Sequence, residues 1–320
     1  MLEQLMPFIL FTAGLIMIIK GSDWFVEAAI WIAKISRIPD LIIGATLVSI
    51  CTTLPELMVS SSSALRGNAG MAFGNALGSI IFNIGFILTI TIIFSTPSLK
   101  DRVKFQKTGR FLLLLLVALL IISVSLHQIS RSTGIILLLV LVGYLYSNVR
   151  SSRSQPDMSI PVNLQKDKVT VAKNVLAFVV GVILTIGGAN LLVTYGEEIA
   201  RILGVPDVVI GLLLTSIGTS LPELVTAITA MKKGAQDLSI GNVLGANILN
   251  IILVIAVSAT IFPIQVERTW IIFHLPFAIF IITSVLFFIR TNKEKLQRTN
   301  GIFIFISYIF YFILTYTKFQ

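Results

Sequence analysis

The stretch IPDLIIGATLVSICTTLPELMVSSS at 38–62 decides how the chain is read, together with its near-copy VPDVVIGLLLTSIGTSLPELVTAIT at 205–229. Both are apolar enough to cross a bilayer. Yet each carries one acid directly after a proline, Glu56 in CTTLPEL (51–57) and Glu223 in GTSLPEL (218–224). Burying a carboxylate at membrane depth costs at least a few kcal/mol, so an intramembrane Glu marks a functional site by default. Two in equivalent places are not an accident of composition.

Outward from these segments, residues 38–85 align without a gap to 205–252 at a constant offset of 167, and about 20 of the 48 positions are identical. GNALGSIIFNIG (74–85) matches GNVLGANILNII (241–252), and the register reaches back to GSDWFV (21–26) against GANLLV (188–193). The chain is therefore a duplication.

Of the 320 residues, 56% are hydrophobic and only 12% charged, with a mean hydropathy of +0.95. Soluble domains carry about 25% charge, so a soluble fold is excluded. Ten apolar runs of membrane-crossing length fall near 5–20, 40–64, 70–95, 110–126, 133–148, 171–195, 206–230, 238–262, 270–289 and 301–317. Runs such as FLLLLLVALLIISVSL (111–126) lack the alternation of a barrel strand. The expected fold class is an all-α membrane protein of ten transmembrane helices. The two five-helix repeats are residues 1–148 and 171–320, joined by a short polar cytoplasmic connector at 149–170. An odd number of helices per repeat inverts the second copy, a recurring plan of secondary transporters.

The net charge of +9 is a topology signal rather than a nucleic-acid footprint. Of 24 Lys and Arg, 19 fall after odd-numbered spans and 5 after even-numbered ones, which by the positive-inside rule puts both termini outside. The single cysteine, Cys51, excludes an internal disulfide. The first span has no basic leader or cleavage site and reads as mature protein. Asp23 and Glu27, beyond that span, read as guards of an entry path or, the preferred reading, as solvated loop acids, and His127 and His274 receive no role. Trp24, Trp31 and Trp270 fit interfacial anchoring.

Ser49, Thr52, Thr53 and Glu56 stand at i, i+3, i+4 and i+7, one polar stripe on an apolar rod, and Ser216, Thr219, Ser220 and Glu223 repeat it. Pro55 and Pro222 lack an N–H, so each frees the carbonyl four residues earlier, at Cys51 and Gly218, and bends the helix there. Freed backbone at this depth is tolerated where it lines a cavity. Spans 3 and 8 add Asn75, Ser79 and Asn83, and Asn242, Ala246 and Asn250, with Asn247 adjacent. Asn75 and Asn242 are read as ligands or as braces of the broken helix, and Ser60 to Ser63 as small-residue packing. Every donor is oxygen. That suits Ca²⁺, which takes 6–8 flexible oxygen ligands, better than Mg²⁺, and no Cys/His set points to zinc or copper. Two glutamates balance one Ca²⁺, or are shared among Na⁺ ions or protons.

These paired segments resemble the α-repeats of the sodium/calcium exchangers, in the calcium/cation antiporter superfamily, over essentially the whole chain. The resemblance implies that Glu56 and Glu223 are the central Ca²⁺ ligands with backbone oxygens of Thr52 and Thr219, and that Asn83 and Asn250 flank a middle position. It implies one Na⁺ site from Ser49, Thr53 and Ser79, and another from Ser216, Thr219, Ser220 and position 246, with spans 1 and 6 sliding as a gate. Cys51 departs from the repeat's glycine, and Ala246 lacks the hydroxyl of Ser79. Asn250 stands where the potassium-dependent branch has an acid, which points to potassium independence.

The function expected is a secondary-active antiporter exchanging Ca²⁺ for Na⁺ by alternating access, with a midplane site between spans 2, 3, 7 and 8, in a prokaryotic cell membrane. The partners are Ca²⁺, Na⁺ and the lipid bilayer, with no cofactor, nucleic acid or obligate protein partner. The alternative is proton-coupled Ca²⁺ exchange on the same glutamates. A cation channel is disfavoured by the single compact polar cluster, and an enzyme by the lack of any HExxH, GxSxG or Walker motif.

Overall fold

The computed structural model describes residues 2–98, 102–154, 167–202, 217–292 and 294–318. The chain is almost wholly helical. Helix α1 is Leu2–Ser36. An interrupted rod follows: α2 (Asp40–Ile43), a π-helical turn at Gly44–Val48, α3 (Ser49–Thr52) and α4 (Leu54–Leu65). Next come α5 (Ala69–Phe82), a π segment at Asn83–Leu88, α6 (Thr89–Ser95), α7 (Arg102–Leu126), α8 (Arg131–Ser154) and α9 (Lys168–Ile202). The second half resumes at α10 (Leu221–Lys232), then α11 (Gln236–Leu249), a π segment at Asn250–Ile255 and α12 (Ala256–Ile261). A π turn at Trp270–His274 leads to α13 (Leu275–Thr291), and α14 is Arg298–Lys318.

Among the described residues, eight helices are long and apolar enough to span a membrane, or nine if the bent pair Asp40–Thr52 and Leu54–Leu65 is one span. The expected span at 206–230 lies partly outside the described residues, as does most of the connector at 149–170. The duplication reappears in local structure at the same offset. α4 and α10 cover equivalent positions, as do α5 and α11, and the π segments at Asn83 and Asn250 match residue for residue.

α1 runs well past the end expected near residue 20. Lys20, Asp23 and Glu27 look like a stop signal, but the inner face continues as Phe25, Val26, Ala29 and Ala33, all buried. Apolar periodicity on one face outweighs charges on the other. Asp23 and Glu27 are therefore helix residues rather than loop acids.

Packing divides the chain into two compact units that do not coincide with the repeats. One is Met1–Pro55 with Tyr146–Asn242, the other Glu56–Leu145 with Val243–Gln320. In the first, α1 and α9 press together through glycine. A Cβ on Gly21 would lie 2.7 Å from the Gly181 carbonyl oxygen, and one on Gly181 equally close to that of Gly21. Ser22 and Thr185 share a hydrogen bond beside this contact. Gly44 meets the backbone of Leu238 and Asn242, and Gly241 that of Leu41, which seats the interrupted rod directly on α11. At the turn after α10, Lys233 pairs with Asp23 at 2.8 Å and Glu27 at 3.4 Å. Partial burial disfavours the Lys233 charge, but the hydrogen bond and charge of Asp23, then those of Glu27, outweigh it and hold the ammonium above the usual lysine range.

In the second unit, Trp270 packs edge-on against Phe73 of α5, and His274 and Tyr311 are hydrogen-bonded at 2.6 Å. A two-residue ladder pairs Gln128 with Gln265 and Ile129 with Ile264.

Candidate functional site

The break in the rod comes where the sequence removes a backbone donor. Thr53 (φ −81°, ψ −1°) leaves helical geometry just before Leu54 and Pro55 open α4, and the axis bends by 45°. Ser220 (φ −87°, ψ 6°) does the same before Leu221 and Pro222. Both lie near the bridge region that recurs at functional sites. In consequence Glu56 and Glu223 become first-turn residues of new helices. There the positive end of the helix dipole favours a carboxylate. Both glutamates are fully buried.

The first unit holds Ser49, Thr52, Thr53, Thr219, Ser220, Glu223 and Asn242, all buried. Thr52 Oγ1–H donates to Asn242 Oδ1 at 3.1 Å, and Ser49 donates to the Thr46 carbonyl at 3.2 Å. Thr53 Oγ1 and Asn242 Nδ2 are buried with no hydrogen-bond partner among the described residues. Ser216 lies outside the described residues.

The second unit holds Glu56, Ser79, Asn83, Asn247 and Asn250, equally buried. Ser79 Oγ–H donates to Glu56 Oε1 at 3.5 Å. Asn83 Nδ2–H donates to Asn247 Oδ1 at 3.0 Å. Asn83 Oδ1, Asn247 Nδ2 and both amide atoms of Asn250 have no partner among the described residues. Asn75 braces α4 by donating to Ser60 Oγ at 3.1 Å, so the first serine of 60–63 serves the amide layer rather than packing alone.

A buried polar atom without a partner costs about 1–3 kcal/mol. Carrying several of them on neighbouring turns fits side chains kept for a ligand. The set is oxygen-rich, and among the described residues no three His, Cys, Asp or Glu side chains gather as a soft-metal cluster would require. Hydroxyl, amide and carboxylate oxygens suit Na⁺ or Ca²⁺. The duplicated pattern does not single out two further buried polar residues next to these clusters. Thr226 sits one turn beyond Glu223, buried and without a partner among the described residues, but its counterpart is Val59, so a search for duplicated polar positions passes over it. Asn247 stands out in the sequence only as a neighbour of the repeated asparagines, because its counterpart is Ile80.

Apolar helices of membrane-spanning length with buried, oxygen-rich polar clusters at helix breaks fit a membrane carrier of hard cations. A family model for the sodium/calcium exchanger protein matches residues 6–150 and 173–317, and the chain belongs to that family, whose members are transporters rather than enzymes. The chain is 27% identical to the sodium/calcium exchanger MaX1 of Methanosarcina acetivorans, over 97% of this chain and 98% of that protein. It is 30% identical to the inner membrane protein YrbG of Escherichia coli, over 92% and 91%. Its fold superposes on the sodium-calcium exchanger NCX_Mj with a TM-score of 0.83 at 29% identity, over 98% of this chain and 99% of that one.

Proposed function

We propose that this family member is a secondary-active antiporter that exchanges Ca²⁺ for Na⁺ across a cell membrane by alternating access. Ca²⁺ is held chiefly by Glu56 and Glu223, with the backbone oxygens of Thr52 and Thr219. Na⁺ takes Ser49, Thr53 and Ser79 in one repeat, and Ser216, Thr219 and Ser220 in the other, while Asn83 and Asn250 flank the middle position. Ten spans arranged as two inverted repeats, with both termini outside, supply these ligands from spans 2, 3, 7 and 8. Because the two ions share ligands, occupancy by one excludes the other, which is the simplest physical basis for exchange.

One observation carries this reading. In each repeat a glutamate is fully buried in the first turn of a helix restarted after a break, behind hydroxyl residues on the preceding turn. The test is calcium uptake into proteoliposomes loaded with Na⁺. Uptake that follows the outward Na⁺ gradient supports the exchange. Uptake driven only by a proton gradient, and indifferent to Na⁺, makes the protein a proton-coupled exchanger instead.

A further inference from the structure

An asparagine amide has an oxygen end and an NH₂ end, and only the oxygen can ligate a cation. Which end a buried Asn turns towards an ion depends on what engages the other. Asn83, at the start of the π segment after α5, gives its NH₂ to Asn247 Oδ1 at 3.0 Å across to α11. Asn83 Oδ1 is left buried with no hydrogen-bond partner among the described residues. Asn250 is its counterpart at the offset of 167 and opens the matching π segment. Its oxygen and nitrogen both lack such a partner. The difference traces to one position. Where the second repeat has Asn247, the first has Ile80, so no side chain in the duplicated pattern can take the NH₂ of Asn250 as Asn247 takes that of Asn83.

We infer that Asn247 is a positioning residue that locks the Asn83 amide with its carbonyl oxygen presented to the transported cation. The pair makes the duplicated site functionally asymmetric. The inference rests on the reading of Asn83 as an ion ligand and adds what orients it. Asn247 itself need touch no ion. Its own Oδ1 is spent on Asn83.

The experiment is a double-substitution cycle on sodium-driven calcium uptake by the full chain in proteoliposomes. Asn247→Leu, branched at the same carbon but without an acceptor, raises the KM for Ca²⁺ by about tenfold with kcat kept, the pattern of weakened ion binding. Asn247→Gln keeps a neutral acceptor amide for the Asn83 N–H and restores part of the loss, with a KM below that of the leucine variant. In an Asn83→Ala background, Asn247→Leu has no further effect, because its partner is gone. Additive effects of the two substitutions, or a leucine variant with unchanged KM, overturn the positioning role. Should the leucine variant not yield folded protein, Asn247→Ala stands in its place in the same cycle. Wild-type protein without sodium-driven uptake sinks the exchange reading and this inference with it, whereas wild-type exchange with additive substitutions sinks the inference alone.

Discussion

Glu56 and Glu223 owe their place to the residue before them. A proline supplies no N–H, so the helix must restart, and the next residue lands in a first turn where the helix dipole offsets part of the cost of a buried charge. Glu56→Gln and Glu223→Gln keep shape and remove charge. Each is expected to lower the initial rate of sodium-driven calcium uptake by at least about a hundredfold, or about 3 kcal/mol; near-normal rates in either variant would remove that glutamate from the centre of the site. These acids, and the hydroxyls at helical spacing behind them, are legible in the sequence because a polar stripe on an apolar rod is costly at membrane depth and persists only where it binds something. The role of Asn247 is not. It depends on a hydrogen bond to a residue 164 positions away, and the direction in which an amide points leaves no trace in sequence. Thr226 is hidden for a simpler reason, since its duplicate is a valine.

At the scale of elements, the seam between α1 and α9 has no room for a side chain. Gly181→Leu drives a branched group into the backbone of Gly21 and Phe25 and should cost about 1–3 kcal/mol, read as a lower Tm in detergent. Gly143→Ala in α8, with nothing within 4 Å, is expected to be neutral or stabilising by up to about 1 kcal/mol. The contrast separates crowding from a general intolerance of helical substitution. The full length of α1 is hard to read from sequence because its charges interrupt the apolar run while the apolar face carries on beneath them. Those charges have their own use, tying α1 to the turn after α10. Asp23→Asn should destabilise by at most about 1 kcal/mol, since Asp23 and Lys233 are both partly exposed. The loss should shrink in high salt. The folded-state lysine titrates above its usual range, so the contribution is complete at pH below that range and fades as pH rises through the raised value. In thermal melts the wild type and Asp23→Asn therefore converge at strongly alkaline pH, and a difference that persisted there would point to packing instead of charge.

For the whole molecule, duplication and packing follow different boundaries. Each compact unit takes residues from both halves of the duplicated sequence. That partition cannot be read from the alignment, which reports common ancestry of segments and not which of them bury one another. What the sequence does carry at this scale is the repeat itself, reproduced in helix and π-segment limits at one offset, and a donor set made of oxygen. Sharing of that donor set by Ca²⁺ and Na⁺ is the central claim, and competition in the purified full-length protein tests it most directly. Calcium titrations at rising Na⁺ should show an apparent Kd that climbs with Na⁺ at an unchanged number of sites, and Glu56→Gln should remove the high-affinity binding altogether. A calcium Kd that stays constant across Na⁺ concentrations and moves only with pH would contradict it.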